Sequence, residues 1–409
     1  MMSKEKRRVP KLRFPGFTED WEQRKLSEVT TCFDNLRVPV TASDRVPGKI
    51  PYYGANGIQD YVSGYTHSGE FVLIAEDGAN DLNDYPIQYV NGAIWVNNHA
   101  HVIAGYKEKL ENKFLSYSLK TVKMSTFIVG GGRSKLNLKA LLEIPISMPN
   151  HDEQCCIGKF IETIDKTITL HQRKLDNLKL KKKALLQKLF PKNGERYPEL
   201  RFPGFTDAWE QCKLGEIFEY LQNNTLSRDS LNYKNPNIKN IHYGDILVKF
   251  DEILDGFNKD IPYINSEVDL SKFSKSLLRD GDIIFSDTAE DDTVGKAIEL
   301  QNVNVPFILS GLHTIPCRPL IPFGKGYLGN FLNSDSYRLQ LRPLVQGIKV
   351  SSISKSALKD TMIEYPKTLD EQEKIGNLFY YIAKMITLHQ RKLDHLQLQK
   401  KALLQQMFV

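Results

Sequence analysis

A nine-residue stretch that occurs twice constrains this chain more than any other feature of its sequence. ITLHQRKLD spans Ile168 to Asp176 and returns, letter for letter, from Ile386 to Asp394, an offset of 218 positions. The flanking residues match at the same offset, since Asp152-Glu153-Gln154 becomes Asp370-Glu371-Gln372. Identity of this length is not expected between unrelated segments, so the chain contains an internal duplication.

Apolar residues recur in both copies at alternating steps of four and three. A period of 3.5 predicts two long helices that supercoil around a partner, each of about 35 residues and roughly 50 Å. We predict that the two copies pack on each other, because helices on an ordinary core show a wider apolar face. The heptads alone leave parallel and antiparallel pairing open. The predicted seam consists of Ile157, Ile161, Ile164, Ile168, His171, Leu175, Leu178, Leu185, Ile375, Phe379, Ile382, Ile386, His389, Leu393, Leu396 and Leu403.

A second repeat opens each half of the chain. LRFPGFT stands at Leu12 to Thr18 and again at Leu200 to Thr206, and each copy is followed by Trp-Glu-Gln, at an offset of 188 positions. Because this offset is 30 shorter than the 218 of the helix repeat, the insert between opener and helix is longer in the second half. A constant frame with two dissimilar inserts predicts one scaffold that presents two different recognition surfaces.

The duplication also predicts how the halves are arranged. The first helix is followed by an opener, so we expect the first opener, Leu12 to Leu26, to dock near the end of the second helix in a pseudo-twofold arrangement, with Trp21 close to Phe408. The expected domains are an N-terminal segment (1–28), a first recognition domain (29–150), a central helix (151–190), a linker and second opener (191–216), a second recognition domain (217–366) and a C-terminal helix (367–409).

The two inserts predict mixed α/β structure. In the first, Glu70 to Ala75 reads as a buried strand, Ala93 to Ile103 alternates like one strand, and Asn112 to Val122 reads as a short helix. The second insert repeats this order with little identity, and Phe307 to Pro316 stands where the strand at 93–103 stood. The predicted fold class is α+β, with two similar mixed domains joined by the long helices.

Composition excludes several classes of protein. Among 409 residues, 41% are hydrophobic and 10% aromatic, which is typical of a folded chain. A net charge of +6 permits a polyanionic partner. We expect a cytoplasmic protein, because no signal peptide and no run of 18 apolar residues is visible. Five cysteines without a CxxC spacing predict neither disulfides nor structural zinc.

Motifs for catalysis are missing or incomplete. GKGYLG, residues 324–329, formally spells GxGxxG, but prolines crowd the place of the leading strand and no βαβ unit follows. GGGRSK, residues 130–135, lacks the ending of a phosphate loop, although its amides and basic side chains could meet phosphates. His99, His101 and His313 have no ligand partners at metal spacing and are expected to be structural, so we predict no metal and no catalytic residue.

Several motifs together resemble one known family. The two LRFPGFT openers, the DEQ start of each long helix, ITLHQRKLD with KKALLQ, and the segments EDGAN and NNHAHV resemble the specificity subunit of type I restriction-modification systems. The resemblance covers nearly the whole chain. It implies two target-recognition domains, each reading one half of a split, asymmetric DNA sequence, and two antiparallel helices that set the unread spacer and dock the methyltransferase subunits.

The resemblance also implies a division of labour. Two modification subunits would methylate adenine and restriction subunits would translocate and cleave the double-stranded DNA, so S-adenosylmethionine, ATP and magnesium would belong to those partners. Base reading requires hydrogen-bonding side chains in the inserts. The candidate DNA-binding residues are Arg37, Tyr53, Asn56, Asn80, Arg133, Lys135, Asn224, Lys249, Thr288, Lys296, Gln346 and Lys349.

One alternative from another class fits the same duplication. An architectural protein that uses a coiled coil as a spacer between two protein-binding modules would repeat its frame in the same way. It would not need DNA binding that weakens with salt, which is the property that separates the two hypotheses. A stand-alone nuclease or methyltransferase is disfavoured because the chain carries no motif for either.

Overall fold

The computed structural model describes residues 9–130, 135–192, 194–234, 238–265, 276–303, 307–347 and 349–409. The described residues form two compact units: unit 1 comprises those up to Gln172 together with Arg391–Val409, and unit 2 comprises those within Arg173–Gln390. Each long helix therefore contributes one half to each unit.

Unit 1 is a sheet with short helices around it. Its strands are β1 (Glu22–Lys25), β2 (Thr30–Cys32), β3 (Pro47–Gly54), β4 (Gly57–Val62), β5 (His67–Ala75), β6 (Ile87–Val96), β7 (Ala100–Gly105) and β8 (Pro145–Met148). Its helices are α1 (Leu26–Val29), α2 (Asn112–Thr121), α3 (Leu138–Leu142), the first part of α4 (His151–Lys188) and the last part of α10 (Leu369–Met407).

Six strands of unit 1 form one sheet in the order β2-β7-β5-β6-β3-β4, and β1 pairs with β8. Strand β5 lies between β6 and β7, and residues 71–75 are all buried. A strand covered on both faces needs a continuous apolar run instead of alternation, which explains the sequence FVLIA.

Unit 2 repeats this plan with additions. Its strands are β9 (Glu210–Lys213), β10 (Phe218–Tyr220), β11 (Leu231–Asn232), β12 (Lys239–Ile241), β13 (Ile253–Asp255), β14 (Tyr263–Ile264), β15 (Ile283–Ser286), β16 (Thr288–Ala289), β17 (Ala297–Gln301), β18 (Ile308–Ser310), β19 (Thr314–Pro319), β20 (Ser351–Ser352) and β21 (Met362–Tyr365). Its helices are the last part of α4, α5 (Leu214–Ile217), α6 (Tyr243–Val248), α7 (Tyr327–Phe331), α8 (Asp335–Leu341), α9 (Lys355–Lys359) and the first part of α10.

The main sheet of unit 2 has the order β10-β19-β15-β17-β13, which matches β2-β7-β5-β6-β3 strand for strand. The match includes direction, because β13 runs parallel to β17 as β3 runs parallel to β6. The longer second insert carries an additional four-stranded sheet in the order β11-β14-β12-β18. The predicted α+β fold, used twice, is confirmed.

Two predicted strands are wrong in the same way. Residues 93–103 are not one strand, because β6 ends at Val96 and β7 begins at Ala100. The side chain of Asn97 accepts a hydrogen bond from the backbone N–H of His99 at 2.8 Å and closes a tight turn. Residues 307–316 likewise divide into β18 and β19.

The two long helices begin alike. The side chain of Asn150 accepts from the N–H of Glu153 at 3.0 Å, and the hydroxyl of Thr368 accepts from the N–H of Glu371 at 3.4 Å. Such N-terminal caps satisfy amides that have no partner inside the helix. Within the described residues, neither helix, nor any other, is long and apolar enough to cross a membrane.

The helices pair antiparallel within each unit. In unit 1, Lys400 near the end of α10 contacts Asp165 near the start of α4, with Nζ and Oδ1 2.5 Å apart. In unit 2, Phe190 just beyond α4 stacks on Phe379 near the start of α10, with ring centroids 6.0 Å apart. Every residue of the predicted seam is buried or half-buried.

The openers dock as the duplication predicts. Trp21 meets Phe408 edge to face with ring centroids 6.3 Å apart, and the N–H of Leu12 donates to the carbonyl of Gln406 at 2.9 Å. In unit 2, Trp209 meets Phe190 with centroids 6.3 Å apart. The expected position of the first opener, at the end of the second helix, is confirmed.

A buried ion pair fastens each opener to a long helix. Arg13 donates two hydrogen bonds to Glu153, both at 2.7 Å, and Arg201 donates two to Glu371, at 2.7 and 2.9 Å. The duplicated frame is therefore duplicated in its contacts as well as in its sequence.

Candidate nucleic-acid interface

The end of strand β5 is the point in unit 1 where several predicted DNA-binding segments meet. The N–H of Glu76 donates to the carbonyl of His99 at 2.9 Å, and the carbonyl of Glu76 accepts from the N–H of Leu136 at 2.7 Å. Beside this junction, Val129 and Lys135 exchange two backbone hydrogen bonds, at 2.9 and 3.0 Å. We call the pair Val129 and Lys135 the hairpin base of unit 1.

Unit 2 has the same junction at the end of β15. The N–H of Asp287 donates to the carbonyl of His313 at 3.1 Å, and the carbonyl of Asp287 accepts from Ile353 at 2.8 Å. Gln346 and Ser352, the hairpin base of unit 2, exchange backbone hydrogen bonds at 2.9 and 2.7 Å. Little sequence identity connects the two inserts, yet the same backbone arrangement closes both strand ends.

A glycine follows the first residue of each hairpin base. Gly130 has φ +106° and Gly347 has φ +105°, conformations that residues with a side chain rarely adopt. A Cβ at Gly347 would also collide with the carbonyl oxygen of Val350. Among the candidates, Lys135 and Gln346 belong to the bases, Lys349 is exposed beyond the second one, and Arg133 lies outside the described residues.

An ion-pair cluster supports the strand end of unit 1. Arg37 Nη1 lies 2.7 Å from Glu76 Oε2, Lys135 Nζ lies 3.0 Å from Glu76 Oε1, and His101 Nδ1 lies 2.6 Å from Asp34 Oδ2. Burial would raise the pKa of Glu76, but hydrogen bonds from Arg37 and Lys135 outweigh it and hold that pKa below its usual value. The carboxylate is therefore kept ionised.

This cluster is the one place in the described ranges where a metal site can be considered. Ligand atoms of Asp34, Glu76 and His101 lie within 4.8 Å of one another. Arg37 and Lys135 already neutralise the Glu76 carboxylate, and a divalent cation would have to displace them. The arrangement fits a structural ion-pair network that positions Arg37 and Lys135 at the edge of the sheet.

Two candidate asparagines tie adjacent turns together. Asn56, in the turn between β3 and β4, donates to the carbonyl of Gly78 at 2.9 Å and accepts from the N–H of Asn80 at 3.0 Å. Both asparagines are exposed, whereas Tyr53 is half-buried. The structure thus brings Asn56 and Asn80 together close behind the strand end at Glu76.

In unit 2, Thr288 is the candidate nearest to the junction. Its hydroxyl donates to Asp287 at 2.7 Å, and its backbone pairs with Ser352 of the hairpin base. Lys249 follows helix α6, where its ammonium contacts the hydroxyl of Tyr233 at 3.1 Å and Asp245 at 3.0 Å. Thr288 and Gln346 are therefore grouped through Ser352, and Lys249 belongs to a separate ion pair.

Two candidates of unit 2 are wrong. The side chain of Asn224 is 2% exposed and donates to Asn240 and to the carbonyl of Ser310, at 2.7 and 2.9 Å. Lys296 points inward and donates to the carbonyl of Phe250 at 2.7 Å, and burial lowers its pKa. Both side chains satisfy buried backbone or amide groups, so neither is free to meet DNA.

The sequence motif GKGYLG is also explained. The buried carboxylate of Glu299 accepts hydrogen bonds from the N–H groups of Gly326 and Gly329, at 2.6 and 2.9 Å. These amides are the groups that would face a phosphate in a nucleotide-binding loop. The Glu299 carboxylate already occupies these amides. This contact agrees with the expectation that GKGYLG does not bind a nucleotide.

Two histidines that we predicted to be structural, His99 and His313, lie beside the ends of strands β5 and β15. His99 directly precedes strand β7, and His313 directly precedes the equivalent strand β19. The signal in the sequence is their shared place in the repeat, one position before matching strands. Composition and spacing could not distinguish them from His101, which is buried and donates inward.

The chain is similar in sequence to several known proteins. The chain matches the family model described as the type I restriction modification DNA specificity domain twice, over residues 18–180 and 206–398. It is 50% identical to a Haemophilus influenzae protein provisionally described as a type I restriction enzyme specificity subunit, over 35% of this chain and 37% of that protein. It is 22% identical to the MjaVIII type I restriction enzyme specificity subunit of Methanocaldococcus jannaschii, over 94% of this chain and 91% of that protein.

A solved structure shares the fold. The crystal structure of a type I restriction-modification system S subunit from M. genitalium superposes with a TM-score of 0.64 at 13% identity, covering 98% of this chain and 99% of that one.

Proposed function

This chain belongs to the type I restriction modification DNA specificity family, and on that premise we propose that it selects the DNA sequence on which a type I restriction-modification complex acts. Unit 1 would read one half of a bipartite target and unit 2 the other half. The observation that carries the proposal is the duplicated hairpin base, which presents different side chains from the same backbone arrangement. Because the two hairpin bases present different side chains on one repeated scaffold, we expect the DNA target to be asymmetric.

The frame, which consists of the two openers and the two long helices, would serve assembly of the complex. The two long helices would set the unread spacer and dock two methyltransferase subunits, since each unit contains one half of each helix. Restriction subunits would join the same complex to translocate and cleave double-stranded DNA. The partners would supply catalysis together with S-adenosylmethionine, ATP and magnesium, and this chain would supply recognition in the cytoplasm. The architectural alternative, a spacer between protein-binding modules, is not favoured by the family match.

The decisive experiment compares methylated DNA from cells that express this chain with its methyltransferase subunits and from cells that lack only this chain. Single-molecule sequencing should find a split, asymmetric motif with a fixed gap that is methylated only when the chain is present. If the complex assembles and the methylation pattern does not change, the proposal is wrong and the architectural alternative becomes the better explanation.

Charge at the second hairpin provides a sharper test. Replacing Lys349 by glutamate should weaken binding of the assembled complex to duplex DNA by about tenfold and lessen its salt dependence, because a cation near the phosphates is lost. Fluorescence anisotropy at two salt concentrations measures both quantities. Lys325→Glu is the control, since Lys325 is also an exposed lysine of unit 2 but its backbone packs against Gly376 of helix α10. Equal losses in both variants would argue against a DNA-facing hairpin.

A further inference from the structure

Each strand end holds a histidine ring against a carboxylate, although the carboxylates come from different positions. In unit 1, His99 Nδ1 lies 2.5 Å from Asp77 Oδ1. In unit 2, His313 Nδ1 lies 3.3 Å from Asp287 Oδ1. By strand register the equivalent of Asp287 is Glu76, not Asp77, because both pair with the histidine backbone. The two inserts therefore bring a carboxylate to the histidine Nδ1 by different residues, at hydrogen-bond distance in unit 1 and at ion-pair distance in unit 2.

The surroundings of Nδ1 define which ring nitrogen carries the proton. A carboxylate only accepts hydrogen bonds, so His99 Nδ1 must donate to Asp77. In unit 2, the Thr288 hydroxyl already donates to Asp287 at 2.7 Å, and its oxygen lies 3.4 Å from His313 Nδ1. That oxygen is therefore an acceptor as well. In the neutral ring, Nε2 is left as a hydrogen-bond acceptor in both units.

Both rings are partly exposed. The side chain of His99 is 39% exposed and that of His313 is 47% exposed. Within the described part of the chain, neither Nε2 has a hydrogen-bond partner among the contacts of these rings. His313 also has φ +55°, a left-handed conformation that is uncommon outside glycine and is found at functional positions.

The histidine–carboxylate pair is better suited to contact a DNA base than a DNA phosphate. The neutral ring carries no charge that would attract a phosphate, and the carboxylate behind it adds a negative group that repels phosphates. What the carboxylate does provide is a fixed ring direction and a defined acceptor, which directional base reading requires. The acceptors of protein side chains meet exocyclic amines in the major groove, adenine N6 or cytosine N4.

We propose that His99 and His313 each read one base of their half-site by accepting a hydrogen bond at Nε2 from the exocyclic amine of an adenine or a cytosine, and that Asp77 and Asp287 are the positioning residues that hold the rings. This inference rests on the proposed function, because it assigns the specificity of the same two edges. Each histidine is adjacent to a hairpin base, since Asp77 bridges to Lys135 and Thr288 pairs with Ser352.

The test uses the full chain in complex with its methyltransferase subunits and reads the methylated motif by single-molecule sequencing. His99→Asn and His313→Asn retain an amide that can contact the carboxylate in place of Nδ1, but they remove Nε2. Each should reduce base discrimination at one position of one half-site by on the order of tenfold, leaving the other half-site and the gap unchanged. The two variants therefore act as matched controls for each other.

The positioning role has its own readout. Asp77→Ala and Asp287→Ala should relax the same motif position as the corresponding histidine variant, while co-purification with the methyltransferase subunits shows that the chain is folded. Unchanged discrimination at every position, or an equal loss at all sequences, would overturn the inference. If the wild-type complex yields no bipartite motif, the proposed function itself fails. If the wild type yields the motif and the histidine variants do not alter it, only this inference fails.

Discussion

Replacing Arg201 by alanine should destabilise unit 2 by about 3–5 kcal/mol, the usual effect of removing one partner from a buried ion pair. Glu371 is 2% exposed, and Arg201 donates to both of its oxygens at 2.7 and 2.9 Å. Without Arg201 the carboxylate would stay buried with no opposing charge. The contact joins the second opener to the first turn of α10, so its loss should loosen the frame.

Amide hydrogen exchange followed by mass spectrometry measures this effect separately in each unit. Arg201→Ala should increase exchange in β9, β21 and the first turns of α10. Arg13→Ala, the equivalent change in unit 1, should increase exchange around β1 and β8 instead. Lys213→Ala is the control, because its ion pair with Asp360 also joins distant segments but is exposed, and exposed pairs contribute little.

A double variant separates charge from packing. Arg201→Met combined with Glu371→Leu removes both charges and keeps apolar volume, so it should recover more than half of the stability lost in Arg201→Ala. The recovery should be incomplete, because Glu371 also lies in the first turn of α10, where a negative charge is favoured by the helix dipole. If amide hydrogen exchange in unit 2 is unchanged in Arg201→Ala, the role assigned to the Arg201–Glu371 pair is wrong.

The frame of this protein is predictable because its information is local and repeated. The heptad spacing around Ile161 and Ile382 identifies two long helices, and duplication alone predicts that Trp21 meets Phe408 as Trp209 meets Phe190. Antiparallel pairing is different. Both stripes carry the same apolar pattern, so direction depends on tertiary connections that the stripes do not encode.

The candidate interface is less predictable because it depends on where side chains point. Asn224 and Lys296 have the chemistry of DNA-binding residues, but the fold turns them toward unsatisfied carbonyl and amide groups. The tight turn after Val96 escapes a pattern-based prediction, because apolar alternation continues on both sides of Asn97 and His99. Lys135 and Gln346 can be named from sequence, whereas their equivalence appears only when the backbone pairs them.

The stability of unit 2 should decrease as the pH rises through neutrality, because of Glu364. This residue is 1% exposed in strand β21, and burial raises its pKa from 4.5 to about 7. Hydrogen bonds from Gln211 at 3.2 Å and Ser336 at 3.4 Å reduce the shift without cancelling it. The folded state thus prefers the protonated carboxyl more than the unfolded chain does.

Because the folded state prefers the protonated carboxyl, the contribution of Glu364 to stability decreases as the pH rises. Below pH 4.5 the group is protonated in both states and its contribution is fully present; between pH 4.5 and about 7 the unfolded chain ionises first, and stability is lost. The loss should approach roughly 3 kcal/mol at pH 8.

Glu364→Gln, a neutral isostere, should match the wild type near pH 4 and melt at a higher temperature at pH 8. Thermal unfolding monitored across this range tests the difference between the two proteins, which excludes the effect of other carboxyl groups. Unit 1 is the internal control, because β8 pairs Ser147 with Gln23 where β21 pairs Glu364 with Gln211. If the two pH profiles are parallel, the pKa of Glu364 does not change on folding and the prediction is wrong. If they diverge as expected, the two copies of the frame differ in stability at neutral pH through one buried carboxyl group.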